Sequence, residues 1–399
     1  MTKQLPKNTL VIILALLVAV APLAIGVYLP ALPVMSSGLS IPLNELQSTV
    51  SIFLLGFALG QLVGGPVSDY YGRRIVGLPG LFVFSSASFA IVFVESYEAI
   101  MLCRFLQAFG GGFATVIGGG MVMDRFKGKE LAKTMALIGL VISLAPLLSP
   151  TLGGFFLNHF GWRSIFLFLG LYAMVMIPVL KFTVPERLEK PKGQLSIKKV
   201  IGDYTHVLSN KDAIGYLISI VMTYGTLLSF TTASSFAYLE YLKISPEIFP
   251  FAYGANVVCN MAFNRTTPIL LRVLNPHQIM GFGLLLQLIV LVVLFIGVMY
   301  FDAGVWFVVP MIVLVAGAVG WIAPNASTCF LMQYEKNAGT ANALLGSLGF
   351  MIGGIMGAIP GLLHDGTLIP MVGVMLGCVV VAVISYFFLT DPRVTEKLL

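Results

Sequence analysis

Apolar residues are gathered along this chain in long blocks, and polar residues fall in the gaps between them. Twelve mostly apolar runs of about twenty residues or more lie near 9–31, 45–66, 75–95, 98–122, 133–157, 163–183, 213–239, 248–270, 278–300, 304–330, 339–363 and 369–390. A helix needs roughly 20 such residues to cross the hydrocarbon of a bilayer, since it rises about 1.5 Å per residue. Each run therefore predicts one spanning helix. The gaps are short with one exception, the basic stretch 184–212 (VPERLEKPKGQLSIKKVIGDYTHVLSNKD). It divides six runs from six, and Lys198–Val207 within it predicts a short surface helix. The expected architecture is an all-α membrane protein of twelve transmembrane helices in two pseudo-symmetric bundles. One bundle covers 1–183, a cytoplasmic linker covers 184–212, and the second bundle covers 213–399. The first run has the outline of a secretory leader, with Lys3 and Lys7 ahead of it and Ala19-Val20-Ala21 in place of a cleavage site. It stays apolar to Leu32, however, and reads as a retained span.

Composition sharpens this reading. Of 399 residues, 58% are hydrophobic and only 10% charged, against about 25% charged in a typical soluble domain. Mean hydropathy is +0.96. A soluble enzyme, a nucleic-acid binder and a disordered tail are all excluded. The net charge of +6 reflects topology, because 20 of the 23 basic residues fall on one side when the N-terminus is placed in the cytoplasm. Arg163 and Lys243 fall outside, and Arg104 lies within a span. Both termini of this multi-pass protein are expected in the cytoplasm. The four cysteines and four histidines share no ligand spacing, so no metal or other cofactor is expected.

Several stretches carry more than topology. The gap after the second run reads Gly65-Pro66-Val67-Ser68-Asp69-Tyr70-Tyr71-Gly72-Arg73-Arg74. Gly72 permits a tight turn, Asp69 accepts charge-assisted hydrogen bonds, and the arginines present rigid forks. In the fourth run, Arg104-Phe105-Leu106-Gln107-Ala108-Phe109-Gly110 places a cation in hydrocarbon with Gln107 one turn on. Such an arginine costs at least ~2.5 kcal/mol on insertion scales and by default faces a partner or water; snorkelling toward Glu95 and Glu98 is the competing reading. The fifth run contains Ala145-Pro146-Leu147-Leu148-Ser149-Pro150-Thr151-Leu152-Gly153-Gly154, whose prolines soften a helix and whose glycines admit a close neighbour.

These stretches resemble, in turn, the G-x-L-a-D-r-x-G-r-k loop, the R-x-x-q-G motif and the exporter-type g-x-x-x-G-P-x-x-G-G motif of the major facilitator superfamily. Val67, Ala108, Ala145 and Ser149 depart from the patterns. With Tyr28-Leu29-Pro30, Gly161-Trp162-Arg163, Pro324-Asn325 and Ala338-Gly339-Thr340, the chain is similar to the bicyclomycin/chloramphenicol-resistance type of drug:proton antiporter. The resemblance implies a conformational latch of Gly65, Asp69, Gly72, Arg73, Arg74 and Asp124, with Asp69 packed near Asn337–Gly339. It also implies a bending fifth helix (Pro146, Pro150, Gly153, Gly154) that slides on the eighth.

The cavity itself is expected from Tyr28, Arg104, Gln107, Tyr224, Asn256, Asn260, Trp321 and Asn325. Asn256, Asn260 and Asn264 recur every four residues and so share a helix face; helix–helix hydrogen bonding competes with ligand contact for them. The branch usually carries an aspartate two residues before its first-span tyrosine, and Gly26 stands there. None of the seventeen acids lies deep in a span, which leaves proton coupling open between Glu45, Glu240, exchange at Arg104 and another driving force. The expected function is export of small amphipathic organic molecules by alternating access, driven by protons, in a monomer whose partners are the bilayer, its substrate and protons. A dedicated exporter of an endogenous metabolite such as a siderophore is the alternative. A membrane-embedded enzyme lacks its clustered polar groups, and the short stretch after Asp391 speaks against a sensor with a long cytoplasmic extension.

Overall fold

The computed structural model describes residues 7–125, 128–183, 197–301, 303–334 and 338–390, and everything below concerns these. The chain divides into two compact units, Met1–Ser196 and Ile197–Leu399.

The first unit runs α1 (Lys7–Gly26), a 3₁₀ turn (Leu29–Ala31), α2 (Leu32–Leu39), α3 (Leu43–Tyr71), α4 (Arg73–Phe93), α5 (Tyr97–Arg125), α6 (Gly128–Phe160) and α7 (Arg163–Thr183). The second runs α8 (Ile197–Leu208), α9 (Lys211–Ser235), a π-turn (Phe236–Tyr241), α10 (Phe249–Leu270), α11 (Pro276–Tyr300), α12 (Val305–Leu331), α13 (Ala338–Leu362) and α14 (Ile369–Leu389). Twelve of these helices have 20 or more residues, and ten spans among the described residues are long and apolar enough to cross a membrane. The two beyond those ten are α10, polarised by Asn256, Asn260, Asn264 and Arg265, and α6, part of which lies outside the described side chains.

Packing repeats between the units. In the first, α1 lies along α6, α3 and α4 both lie along α5, and α4 packs on α7. In the second, α9 lies along α13, α10 and α11 both lie along α12, and α11 packs on α14. Counting long helices only, the pairing order is first with fifth, second and third with fourth, and third with sixth in both. Small residues allow these approaches. Gly56, Gly60 and Gly64 recur every fourth residue on α3, where a side chain would strike the carbonyls of Phe105 and Phe109 and the ring of Phe113 on α5. In the second unit hydroxyls take the same part: Ser219 donates to the Ala382 carbonyl at 3.1 Å and Ser385 to that of Gly215 at 3.0 Å, tying α9 to α14.

Local chemistry sets the ends. Gly72, at φ +108°, makes the turn between α3 and α4 in a region that side chains avoid. Asn275 and Gln278 form a reciprocal capping box at the start of α11, with Pro276 at the first helical position.

One element departs from the hydropathy reading. The first span extends over Thr9–Leu39 and is interrupted: α1 ends at Gly26, and Val27 and Tyr28 sit in a break before the 3₁₀ turn. Proline is the cause. Pro30 has no amide to donate, and its ring excludes the carbonyl four residues back, which is that of Gly26.

Candidate functional site

The break in α1 carries Tyr28 into the core of the first unit, where four further helices meet it. Tyr28 is fully buried, and so is Arg104 of α5, at 0% exposure. The Arg104 guanidinium lies 4.5 Å from the Tyr28 ring, 4.2 Å from that of Phe53 on α3 and 6.0 Å from that of Phe166 on α7. Trp162 packs edge-on against Phe166, with centroids 6.2 Å apart.

Polar contacts in this chamber run one way. Arg104 Nη1 donates to Gln107 Oε1 at 2.6 Å, Gln107 Nε2 donates to Ser88 Oγ at 2.7 Å, and Ser88 Oγ donates to the Phe84 carbonyl at 2.6 Å. The single Ser88 hydroxyl proton is committed to that carbonyl, so Ser88 must accept from Gln107. The amide orientation follows from the network. Thr49 likewise donates to the Leu46 carbonyl at 2.6 Å, so the Tyr28 hydroxyl is the donor in its 2.8 Å bond to Thr49.

Arg104 does not snorkel. Its full burial excludes that, and Glu95 binds Arg163 instead at 2.8 Å. Among the described residues no carboxylate pairs with Arg104, and its Nε and Nη2 have no acceptor. Glu45 lies exposed in the first turn of α3, and Glu240 is half-buried in the π-turn.

Beside the chamber, α6 closes on the break. A Cβ on Gly26 would fall 1.7 Å from Ser149 Oγ and 2.6 Å from Ser149 Cβ. A Cβ on Gly153 would fall 2.2 Å from the Val27 carbonyl oxygen. Each helix thus supplies a glycine where the other needs room. Pro150 is buried beside Gly26, Pro146 is half-buried one turn earlier, and Gly154 faces open space. The position where a carboxylate was sought is therefore filled from the opposite helix by a buried serine hydroxyl with no hydrogen-bond partner.

At the α3–α4 turn, Asp69 pairs with Arg73, which also donates to Ser68 Oγ at 2.9 Å. The Arg73 guanidinium lies over Gly120 of α5, within 2.6 Å of where a Cβ would stand. Arg74 donates to the Lys181 carbonyl at 3.2 Å, and Gly65 meets Val116 at ordinary contact distance. The Asp124 side chain and Asn337 lie outside what is described, and of Ala338 and Gly339 only the backbone, in the first turn of α13, is described.

The remaining candidates belong to the second unit, and its polar side chains are largely tied to backbone. Asn260 donates to the Ala316 carbonyl of α12 at 3.1 Å, Asn325 to that of Trp321 at 2.7 Å, and Asn256 to that of Tyr253 at 3.1 Å. The buried Tyr238 hydroxyl interacts with the Asn256 side chain, outside the geometry of a good hydrogen bond. Trp321 packs tilted against Phe263 with ring centroids 4.6 Å apart, donates to Thr266 Oγ1 at 2.8 Å, and borders an apolar groove of about 560 Å³ that includes Leu270, Phe282 and Leu286. Tyr224 packs half-buried on α13, over Gly349. Among the described residues, the hydrogen bonds between the candidates Tyr224, Asn256, Asn260, Trp321 and Asn325 are limited to that of Asn325 to the Trp321 backbone.

Residues that sequence reasoning did not single out complete the first site: Thr49, Phe53, Ser88, Ser149 and Phe166. Ser149 alone carried a signal, as a hydroxyl in place of a motif glycine. The others are ordinary residues of apolar helices, brought in by packing.

Comparison with known proteins agrees with this architecture. The family model described as Major Facilitator Superfamily matches residues 14–358. The chain is 30% identical to a bicyclomycin resistance protein homolog of Haemophilus influenzae, over 98% of this chain and 99% of the relative. It is 25% identical to the multidrug resistance protein MdtL of Klebsiella pneumoniae, over 95% of each. Among solved structures, a D-xylose–proton symporter superposes with a TM-score of 0.75 at 15% identity, covering 97% of this chain and 98% of that one. These relatives are membrane transporters of small molecules and not enzymes. Family model, full-length relatives and fold agree: this chain is a multi-pass membrane transporter and belongs to the Major Facilitator Superfamily.

Proposed function

We propose that the protein exports small organic molecules from the bacterial cytoplasm, as a multidrug-type efflux carrier that exchanges its cargo for protons by alternating access. The observation that carries this reading is the end-to-end similarity to a protein named for bicyclomycin resistance. Two features of the first unit support it. The α1 break and the Pro150–Gly154 segment meet through two glycines, which leaves that joint free of bulky side chains to lock it. Tyr28 in the break and Arg104 behind it form a polar centre inside apolar walls, the usual composition of a small-molecule site. The distribution of 20 of 23 basic residues supports cytoplasmic termini.

Expression in a drug-sensitised bacterium tests the reading. A panel of bicyclomycin, fusidate (anionic), chloramphenicol (neutral) and ethidium (cationic) is expected to show a several-fold rise in inhibitory concentration for at least one member. Abolishing the proton gradient should remove the difference in retained compound. Unchanged susceptibility to all four at verified membrane expression refutes drug efflux.

A further inference from the structure

The Arg104 guanidinium combines three properties that do not belong together in a finished core. It is fully buried, it has no carboxylate partner among the described residues, and two of its nitrogens lack an acceptor. A lone charge in low dielectric is costly even after relaxation. The Tyr28 and Phe53 rings, 4.5 and 4.2 Å from the guanidinium, offset part of that cost by cation–π attraction. The N–H groups of Nε and Nη2 still have no acceptor.

Which nitrogens are free is informative. Nη1, on the Cδ side of the guanidinium, is held by Gln107 at 2.6 Å, and Gln107 is anchored through Ser88 to the Phe84 backbone. Nε and Nη2 share the opposite edge, where their N–H bonds run parallel. That edge matches the two oxygens of a carboxylate, the bidentate pairing arginine makes best. The relay on Nη1 fixes the plane of the fork, and the aromatic walls suit the apolar body attached to such a group. A cationic cargo finds no counter-charge here, because the position before the break is Gly26 and Ser149 fills the space beside it.

We propose that the free Nε–Nη2 edge of Arg104 is the receptor for a carboxylate, or an oxyanion of the same shape, on the exported molecule. This names the cargo class and rests on the exporter reading above. Tyr28 and Arg104 are both fully buried in this structure.

The test uses the purified full-length protein in detergent, at low and matched ionic strength, and three probes of similar shape: benzoate, benzamide and benzylammonium. Benzoate is expected to raise the melting temperature saturably, while the other two leave it unchanged. In Arg104→Gln the benzoate shift should weaken at least tenfold, while the ligand-free protein melts at or above the wild-type temperature, because an uncompensated charge has been removed. Arg104→Lys should bind more weakly than wild type, since an ammonium offers no fork. If Arg104→Gln fails to fold, the selectivity of the wild type decides alone. Equal shifts by benzamide or benzylammonium, or a benzoate shift that survives in Arg104→Gln, overturn the proposal. A chloride titration separates the two sources of an anion: chloride that reproduces the shift and competes with benzoate assigns the edge to an inorganic ion and overturns the cargo assignment. Loss of anion selectivity with efflux of chloramphenicol or ethidium intact sinks this proposal and leaves the exporter reading standing. Anion binding with no resistance to any panel drug does the reverse.

Discussion

Replacing Gly26 by alanine places one methyl group where Ser149 already stands. The new Cβ would lie 1.7 Å from Ser149 Oγ and 2.6 Å from Ser149 Cβ, with Pro150 Cδ at 3.7 Å. Rotating the hydroxyl relieves the first contact but not the second, so backbone must shift as well. Overpacking of this kind costs about 1–3 kcal/mol. Ser149→Gly empties the space at roughly 0.5–1 kcal/mol for a helical glycine, and the double variant has room for the methyl group. Gly26→Ala and Ser149→Gly should therefore each lower the melting temperature, while the pair together is more stable than Gly26→Ala alone. The coupling energy should be about 1–3 kcal/mol, at the upper part of the range for residues in contact. Ser149→Ala, which keeps its Cβ 2.6 Å from the new methyl, should rescue only partly. Thermal unfolding in detergent reads the stability, at roughly 2–4 °C per kcal/mol for a body the size of one unit, and flux in liposomes reads the joint. Strict additivity of the two substitutions would refute the interlock.

Other predictions come from neighbouring contacts. Gly153→Ala drives a methyl against the Val27 backbone carbonyl, which cannot swing aside, and should cost more than 1 kcal/mol and most of the transport rate; Gly154→Ala, with nothing within 4 Å, should raise stability by about 0.5–1 kcal/mol and leave transport within error. Thr49→Val leaves the buried Tyr28 hydroxyl without its acceptor and should cost about 1–3 kcal/mol in the same melting assay, and adding Tyr28→Phe should restore most of that loss.

Hydropathy reports length and apolarity, and for most of the chain these were enough. The runs near 75–95 and 369–390 lie within about two residues of α4 and α14, although α4 carries Pro79 in its interior. The first span is different. Its composition hides the interruption, which depends on what Pro30 does to a carbonyl four residues earlier. Arg104 and Gln107 stand three apart, so the sequence places them on one helix face. Spacing is silent about Ser88, Thr49 and Phe166, which reach the chamber through contacts 19 or more positions apart in the chain, such as Gln107 to Ser88 and Tyr28 to Thr49. Gly26 read alone was a missing acid. Only the packing of α6 against it shows that the two helices are fitted to each other, because sequence separation carries no information about which glycine faces which serine. The asparagines of α10 illustrate the opposite limit: their periodicity is legible, but the use of Asn260 on the Ala316 carbonyl depends on where α12 lies.

Proton-coupled export can be read from flux into liposomes. Reconstituted protein is given radiolabelled fusidate and chloramphenicol outside, with the lumen either acidic or at the external pH, while luminal pH is followed by a trapped dye. Accumulation above the external concentration is expected only with the acidic lumen, together with substrate-dependent proton loss from it. Accumulation that ignores the gradient, or uptake that stops at equal concentrations with no proton movement, would contradict proton-coupled export.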